Sequence, residues 1–303
     1  MRTDFQGWVA SHQVRFENVL RGLLPRAETA PQRLHEAMRY AVLDGGKRVR
    51  PLLAFAAGEL AGADLARVDV VAAAVELVHA YSLVHDDMPC MDDDVLRRGK
   101  PTCHVQYDDA TALLVGDSLQ ALAFQLLAEH RLNDDAAHQL EMIKLLAVAS
   151  GSRGMAGGQA IDLASVGKSL TLPELEFMHI HKTGALIRSA ILLGAQCGSD
   201  IQRGSGLGAM QMNKLDHFGK LIGLAFQVVD DVLDCEADTA TLGKTAGKDA
   251  DNDKPTYVSL LGIQGARDMA QRLHREALET LTGFGDAAQR LRELADFIVL
   301  RKF

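Results

Sequence analysis

The stretch Val70-Val71-Ala72-Ala73-Ala74-Val75-Glu76-Leu77-Val78-His79-Ala80-Tyr81-Ser82-Leu83-Val84 runs into Asp86-Asp87-Met88-Pro89-Cys90-Met91-Asp92-Asp93-Asp94, with Arg97 and Arg98 close behind. A second apolar segment, Leu221 to Val229, runs into Asp230-Asp231-Val232-Leu233-Asp234. Carboxylates clustered at the end of an apolar helix repel and raise one another's pKa, so they are costly unless a cation neutralises them. The usual neutraliser in a cavity is a hard divalent ion, and Mg²⁺ takes one or two carboxylates together with phosphate oxygens and water. A solitary acidic run is commonly a solvated helix end. Two of them, each on an apolar helix and each with basic residues downstream, predict a diphosphate held between metal ions.

Apolar residues recur three and four apart almost throughout, and alternating strand-like runs are scarce. The pattern predicts helices over 4–22, 32–44, 51–61, 66–91, 107–130, 136–150, 172–197, 208–235, 256–282 and 286–301. Pro31 and Pro51 sit where a first helical turn accepts proline, and Gly45-Gly46 stop a helix. Thr171-Leu172-Pro173-Glu174 has the form of a capping box. No proline- or serine-rich linker divides the chain and no internal repeat occurs. The expected architecture is therefore all-α: one domain over 1–303, a bundle of about ten or more helices around a central cavity. The longest irregular stretch, Ala237 to Pro255, has the length of a functional lid.

Periodicity also says where the acids point. Asp230 and Asp234 are four apart on one helix face, with Gln227 a turn earlier. His79 and Asp86, seven apart, share a face too. Pro89 falls inside the first cluster and cannot continue a helix. A bulge or helix end is therefore needed to bring Asp92 beside Asp86. Among the cations, Lys47 and Arg50 lie at a helix junction, Lys182-Thr183 enters an apolar helix, and Lys244 and Lys254 lie in the candidate lid. A charge flanked as Lys182 is by apolar sequence needs an anionic partner.

Composition limits the alternatives. At 303 residues, 48% of them apolar, the chain can bury a large core. No run approaches the ~18–20 uninterrupted apolar residues of a membrane span, so membrane insertion is not expected. A net charge of −8 argues against a nucleic-acid partner, which requires a basic face. The N-terminus lacks the layout of a signal peptide, and Cys90, Cys103, Cys197 and Cys235 show neither disulfide nor zinc spacing, which favours the cytoplasm.

Several ordered motifs together carry a resemblance: GGKRVRP at 45–51, HAYSLVHDDMPCMDDDVLRRGKPTCH at 79–104, GMAGGQAIDL at 154–163, HKTGALI at 181–187, FQVVDDVLD at 226–234 and TLGKTAG at 241–247. The chain resembles the trans-isoprenyl diphosphate synthases, most of all the bacterial farnesyl diphosphate synthases, from Gly45 to the last helix. The resemblance implies a helical bundle in which two Asp sets face each other and three Mg²⁺ bind the diphosphate of an allylic starter. It makes Asp86, Asp92 and Asp230 the metal ligands, with Asp87, Asp231 and Asp234 supporting or water-mediated. It assigns Arg97, Lys182, Lys244 and Lys254 to the allylic diphosphate, with Lys248 an alternative to Lys254. Lys47, Arg50, His79 and Arg98 would form the isopentenyl diphosphate pocket, and Thr183 and Gln227 would sit beside the starter's hydrocarbon end. Gln159 and Asp162 match a family motif and could equally mark a Gly-rich helical bend.

The implied reaction is ionisation of the allylic carbon–oxygen bond, attack by the second substrate's double bond and loss of a proton. Tyr81 lies five residues before Asp86, ~7.5 Å deeper along a helix. A ring there would form a floor to the chain pocket, and within the family that pattern implies farnesyl diphosphate from dimethylallyl and geranyl starters. Geranylgeranyl or another chain length is the alternative product. A terpene cyclase would not need the basic pocket of Lys47, Arg50 and His79, a non-catalytic partner subunit would have degraded Asp motifs, and the loop of a helical Ca²⁺-binding protein is absent. The family is usually dimeric, and the helix near 107–130 is apolar on more than one face, so a homodimer is expected.

Overall fold

Aspartates start many of the helices. Asp4, Asp64, Asp108 and Asp135 each accept a hydrogen bond from a backbone N–H in the first turn that follows them, satisfying donors that a helix start leaves open. In the computed structural model, residues 4–198, 206–236 and 255–301 are described. They form α1 (Phe5–Leu23), α2 (Gln32–Val42), α3 (Val49–Ala61), α4 (Leu65–Asp86), α5 (Cys103–Gln106), α6 (Asp109–Glu129), α7 (Ala136–Ser150), α8 (Met155–Ala164), α9 (Leu172–His179), α10 (Ala185–Gln196), α11 (Ala209–Glu236), α12 (Tyr257–Thr280) and α13 (Gln289–Val299). A two-residue antiparallel hairpin, β1 (Leu96–Arg97) with β2 (Lys100–Pro101), follows the first Asp motif. The expectation of an all-α bundle is met.

The departures from the periodicity reading are local. The helix expected over 66–91 ends at Asp86, because Pro89 cannot donate to the next turn. The helix expected over 172–197 is interrupted by a π-helical turn at Ile180–Gly184, a feature that often marks functional sites. Helix α8 was not expected, since glycines at 154, 157 and 158 hide its pattern. Helix α3 begins at Val49, two residues before Pro51. Glu174 accepts hydrogen bonds from the Thr171 N–H and hydroxyl at the start of α9, where the capping box was read.

Helix α4 is the centre of the bundle, packed by α3, α6 and α10. Its middle, Val68 to Val78, is buried on every side, as a helix apolar all round must be. A second cluster joins α9, α11 and α12 through Leu175, Val228, Val232, Tyr257 and Met269. Leu221 and Val299 pack against both clusters. By length and composition α4 and α6 could each cross a membrane, but the apolar window of α4 is 78% buried inside the bundle; that of α6 is 50% buried. All four cysteines are unpaired.

One buried ion pair fixes how the GGKRVRP junction faces. Arg48 turns inward with φ 54°, a left-handed backbone that non-glycine residues rarely adopt. Its guanidinium donates to Glu76 at 2.7 Å, Glu17 at 3.2 Å and the Val42 carbonyl at 2.6 Å. Arg48 is thereby anchored in the core, whereas Lys47 is exposed and Arg50 half-buried. Removing one member of a buried pair strands the other charge. Glu76→Gln should therefore destabilise the protein by ~3–5 kcal/mol, and Arg48→Met with Glu76→Leu should recover most of that loss. Urea denaturation of the two variants checks it; equal stability of the single and double variants contradicts it.

Candidate active site

The first Asp motif is built at a helix end. As α4 stops, the Asp92 N–H donates to the Asp86 carbonyl at 2.8 Å and the Asp94 N–H to the Asp87 carbonyl at 3.1 Å, so the chain doubles back and sets Asp92 beside Asp86. Burial pushes the Asp86 carboxyl up to about 6, with Asp92 and Asp87 adding to the rise and Lys182 and Arg97 opposing it. Asp87 turns away from Asp86 into the protein. It is 2% exposed and gripped by Arg97, whose Nε and Nη2 donate to it at 2.5–2.9 Å.

Helix α11 supplies the second motif. The Asp231 carboxylate accepts from Gln227 Nε2 and from the Tyr257 N–H, both at 2.8 Å, which ties it to the start of α12. The Thr183 hydroxyl, on the π-helical turn, donates to Gln227 Oε1 at 3.2 Å. Lys182, on the same turn, pairs with Asp162 of α8 at 2.5 Å. Asp230 pairs with Arg301, whose guanidinium also lies 4.3 Å over the Phe226 ring. Lys47 stands near both, since Arg301 lowers its pKa and Asp230 raises it, after the larger lowering by burial.

The remaining cations gather around His79. Burial, then Arg50, Arg98, Arg97 and Arg48, hold the imidazole well below its usual range and therefore neutral. Arg98 has φ 54° and lays its guanidinium on Gly45 and Gly46, where a Cβ on Gly46 would come within 2.7 Å of it. Arg50 Nε is buried with no partner among the described residues, and burial lowers the Arg50 pKa. Buried positive groups left without acceptors are rare. Arg50 Nε thus offers an anion a buried donor.

The donor set suits Mg²⁺. Asp86, Asp92 and Asp230 offer only hard oxygens, and among the described residues no three acidic, His or Cys side chains form a ready cage. Hard carboxylate oxygens are the donors that Mg²⁺ takes alongside phosphate oxygens and water. Lys244, Lys248 and Lys254 lie outside the described residues. Sequence reasoning missed Arg301 and Arg48: nothing in a terminal Leu-Arg-Lys-Phe or in the second of three junction cations signals their partners. Asp162 is the ion-pair partner of Lys182 and does more than mark a bend.

The profile of the polyprenyl synthetase family matches residues 31–294. The chain belongs to that family. It is 46% identical over 290 residues to the farnesyl diphosphate synthase of Haemophilus influenzae, covering 96% of each chain. A solved FPP/GFPP synthase from Zymomonas mobilis superposes with a TM-score of 0.86 at 42% identity, over 97% of this chain and 99% of that one. A Helicobacter pylori geranyltransferase, solved with magnesium and isoprenyl diphosphate, superposes with a TM-score of 0.83 at 34% identity, over 99% and 98% of the two chains. The protein is a prenyltransferase.

The raised Asp86 pKa carries a sign for stability. Its folded value of about 6 lies above the unfolded value, so the folded state holds the extra proton and loses stability as pH climbs from about 4 through about 6. The shift is worth at most ~3 kcal/mol, and partial exposure reduces it to on the order of 1–2. Asp86→Asn should therefore stabilise the metal-free protein at pH 7.5 by that amount and much less at pH 4.5. Urea titrations at the two pH values test this; a gain independent of pH contradicts it.

Proposed function

We propose that the enzyme joins isopentenyl diphosphate head-to-tail to dimethylallyl and then geranyl diphosphate, giving mainly farnesyl diphosphate. The observation that carries this reading is the division of charge. The π-helical turn links the two carboxylate sets, Lys182 acting on Asp86 and Thr183 bonding Gln227 of α11. A separate group of cations includes Arg50, whose buried Nε has no hydrogen-bond partner among the described residues. Asp86, Asp92 and Asp230 would hold Mg²⁺, three ions per site, with Asp87, Asp231 and Asp234 in supporting positions. When bound, the metal supplies Lewis acidity at the departing diphosphate.

The chain's own groups do the rest. Lys182 and Arg97, each oriented by a carboxylate, bind the allylic diphosphate together with Lys244 and Lys254. As the allylic carbon–oxygen bond breaks, the electron pair leaves with the diphosphate. The Thr183 hydroxyl, already donating to Gln227, keeps its lone pairs free to face the developing cation. Lys47, Arg50, Arg98 and neutral His79 hold isopentenyl diphosphate so that its double bond lies ready to form the new carbon–carbon bond. The proton then lost passes to the released diphosphate, and residues 237–255 would exclude water as a lid. The chain would act as one domain over 1–303, in the cytoplasm, on small-molecule diphosphates, without nucleic acid or membrane insertion.

Purified protein with isopentenyl diphosphate, dimethylallyl diphosphate and Mg²⁺ should release farnesyl diphosphate, with no turnover when either substrate or the metal is omitted. Asp230→Ala should lower turnover at least ~10³-fold, since one electrostatic donor alone is worth roughly 10²–10³. Near-normal turnover in that variant overturns the metal assignment.

Tyr81 supports the fifteen-carbon product. Its side chain is 8% exposed, on the wall of α4 below Asp86. Tyr81→Ala should yield products of twenty carbons or more by chromatographic sizing; an active variant that still stops at fifteen places the floor elsewhere. Helix α6 leaves Leu113 and Leu114 about half exposed, and a second copy of the chain would cover them. The mass in solution at micromolar concentration should be that of a homodimer, and a monomer contradicts it.

A further inference from the structure

Tyr81 does not stand alone in the wall. Tyr81 and His85 are one turn apart on the same face of α4, and their rings meet edge-on, with centroids 5.9 Å apart and planes at 74°. The His85 ring points its Nε2 edge at α6. Its Nε2 lies 3.1 Å from the Leu113 carbonyl, and a Cβ on Gly116 would come within 1.9 Å of that nitrogen. Any side chain at 116 would displace the imidazole from this position. One turn further along α6, the Gln120 side chain lies near enough to the Tyr81 hydroxyl to oppose the rise that burial gives its pKa. Leu113, Gly116 and Gln120 occupy a single stripe of α6 (spacings of three and four), and this stripe meets the Tyr81–His85 face of α4.

We infer that His85 and Gln120 are specificity-determining residues that set product length by holding the Tyr81 ring across the chain pocket. The inference rests on the reading of Tyr81 as the floor. A tyrosine ring turns about two torsions, and a growing hydrocarbon chain pressing on it would displace a ring held by packing alone. His85, wedged on Gly116, supports the edge of the ring. Gln120 holds its hydroxyl end. The described neighbours of the His85 and Gln120 side chains are Tyr81, Leu113 and Gly116. The proposed reaction assigns none of these to metal or diphosphate, so product length should change without loss of the first condensation. Gln120 is exposed on α6, which places the far side of the floor next to the face proposed to meet a second copy.

The test is product sizing with dimethylallyl and isopentenyl diphosphates for Gln120→Leu, His85→Ala and Tyr81→Ala, alongside the rate of the first condensation. Gln120→Leu and His85→Ala should each shift at least a tenth of the product to twenty carbons or longer, with first-condensation rates within about threefold of the unaltered enzyme. Tyr81→Phe, which removes only the hydroxyl, should match Gln120→Leu, and combining the two should add nothing further. If Tyr81→Ala lengthens the product while Gln120→Leu and His85→Ala still stop at fifteen carbons, the two-helix support is wrong and the floor reading stands. If Tyr81→Ala also stops at fifteen, both are wrong.

Discussion

Charge at the inner ends of apolar helices is the constraint on which this structure depends. A carboxylate or guanidinium removed from water must find a partner or shift its protonation. Most of the charges here find one. Arg97 grips Asp87, Asp162 pairs with Lys182, Arg48 with Glu76, and Asp231 takes the Gln227 amide and the Tyr257 N–H. Those pairs are structural in form, yet each sits beside a sequence neighbour that the proposed reaction uses: Asp86 beside Asp87, Asp230 beside Asp231, Thr183 beside Lys182, and Lys47 beside Arg48.

What is left over after the pairing defines the chemistry. Asp86 is raised toward neutrality by burial and by two other acids, and the cations around His79 repel one another. In the proposed reaction that negative surplus meets metal-bound diphosphate and the positive surplus meets the second diphosphate. The Arg301–Asp230 pair shows the same logic at the end of the chain, where a guanidinium satisfies a carboxylate that the proposed reaction assigns to a metal.

The helices break where function is proposed. Pro89 ends α4 and lets Asp92 fold back onto Asp86. The π-helical turn at Ile180–Gly184 interrupts what would otherwise be one helix and presents Lys182 and Thr183 together. Gly46 and Gly116 have no side chain because a guanidinium lies on one and an imidazole on the other. Regular periodicity supplies the scaffold, and each irregularity aims a side chain.

The sequence by itself determined the helical architecture, the two Asp motifs and the face each acid shares with its neighbours. Hydrophobic period and proline chemistry are local, and a helix imposes them over a few residues. It also carried the motifs that mark the family. It did not disclose α8, whose glycines mask its pattern, nor the π-helical turn, which has no distinct period. Only the tertiary structure decided which charges are paired inward: Arg48 with Glu76, 28 residues away, Asp162 with Lys182 at 20, and Arg301 with Asp230 at 71. Partners so far apart in sequence are chosen by which helix surfaces meet, and no local pattern along the chain encodes that choice.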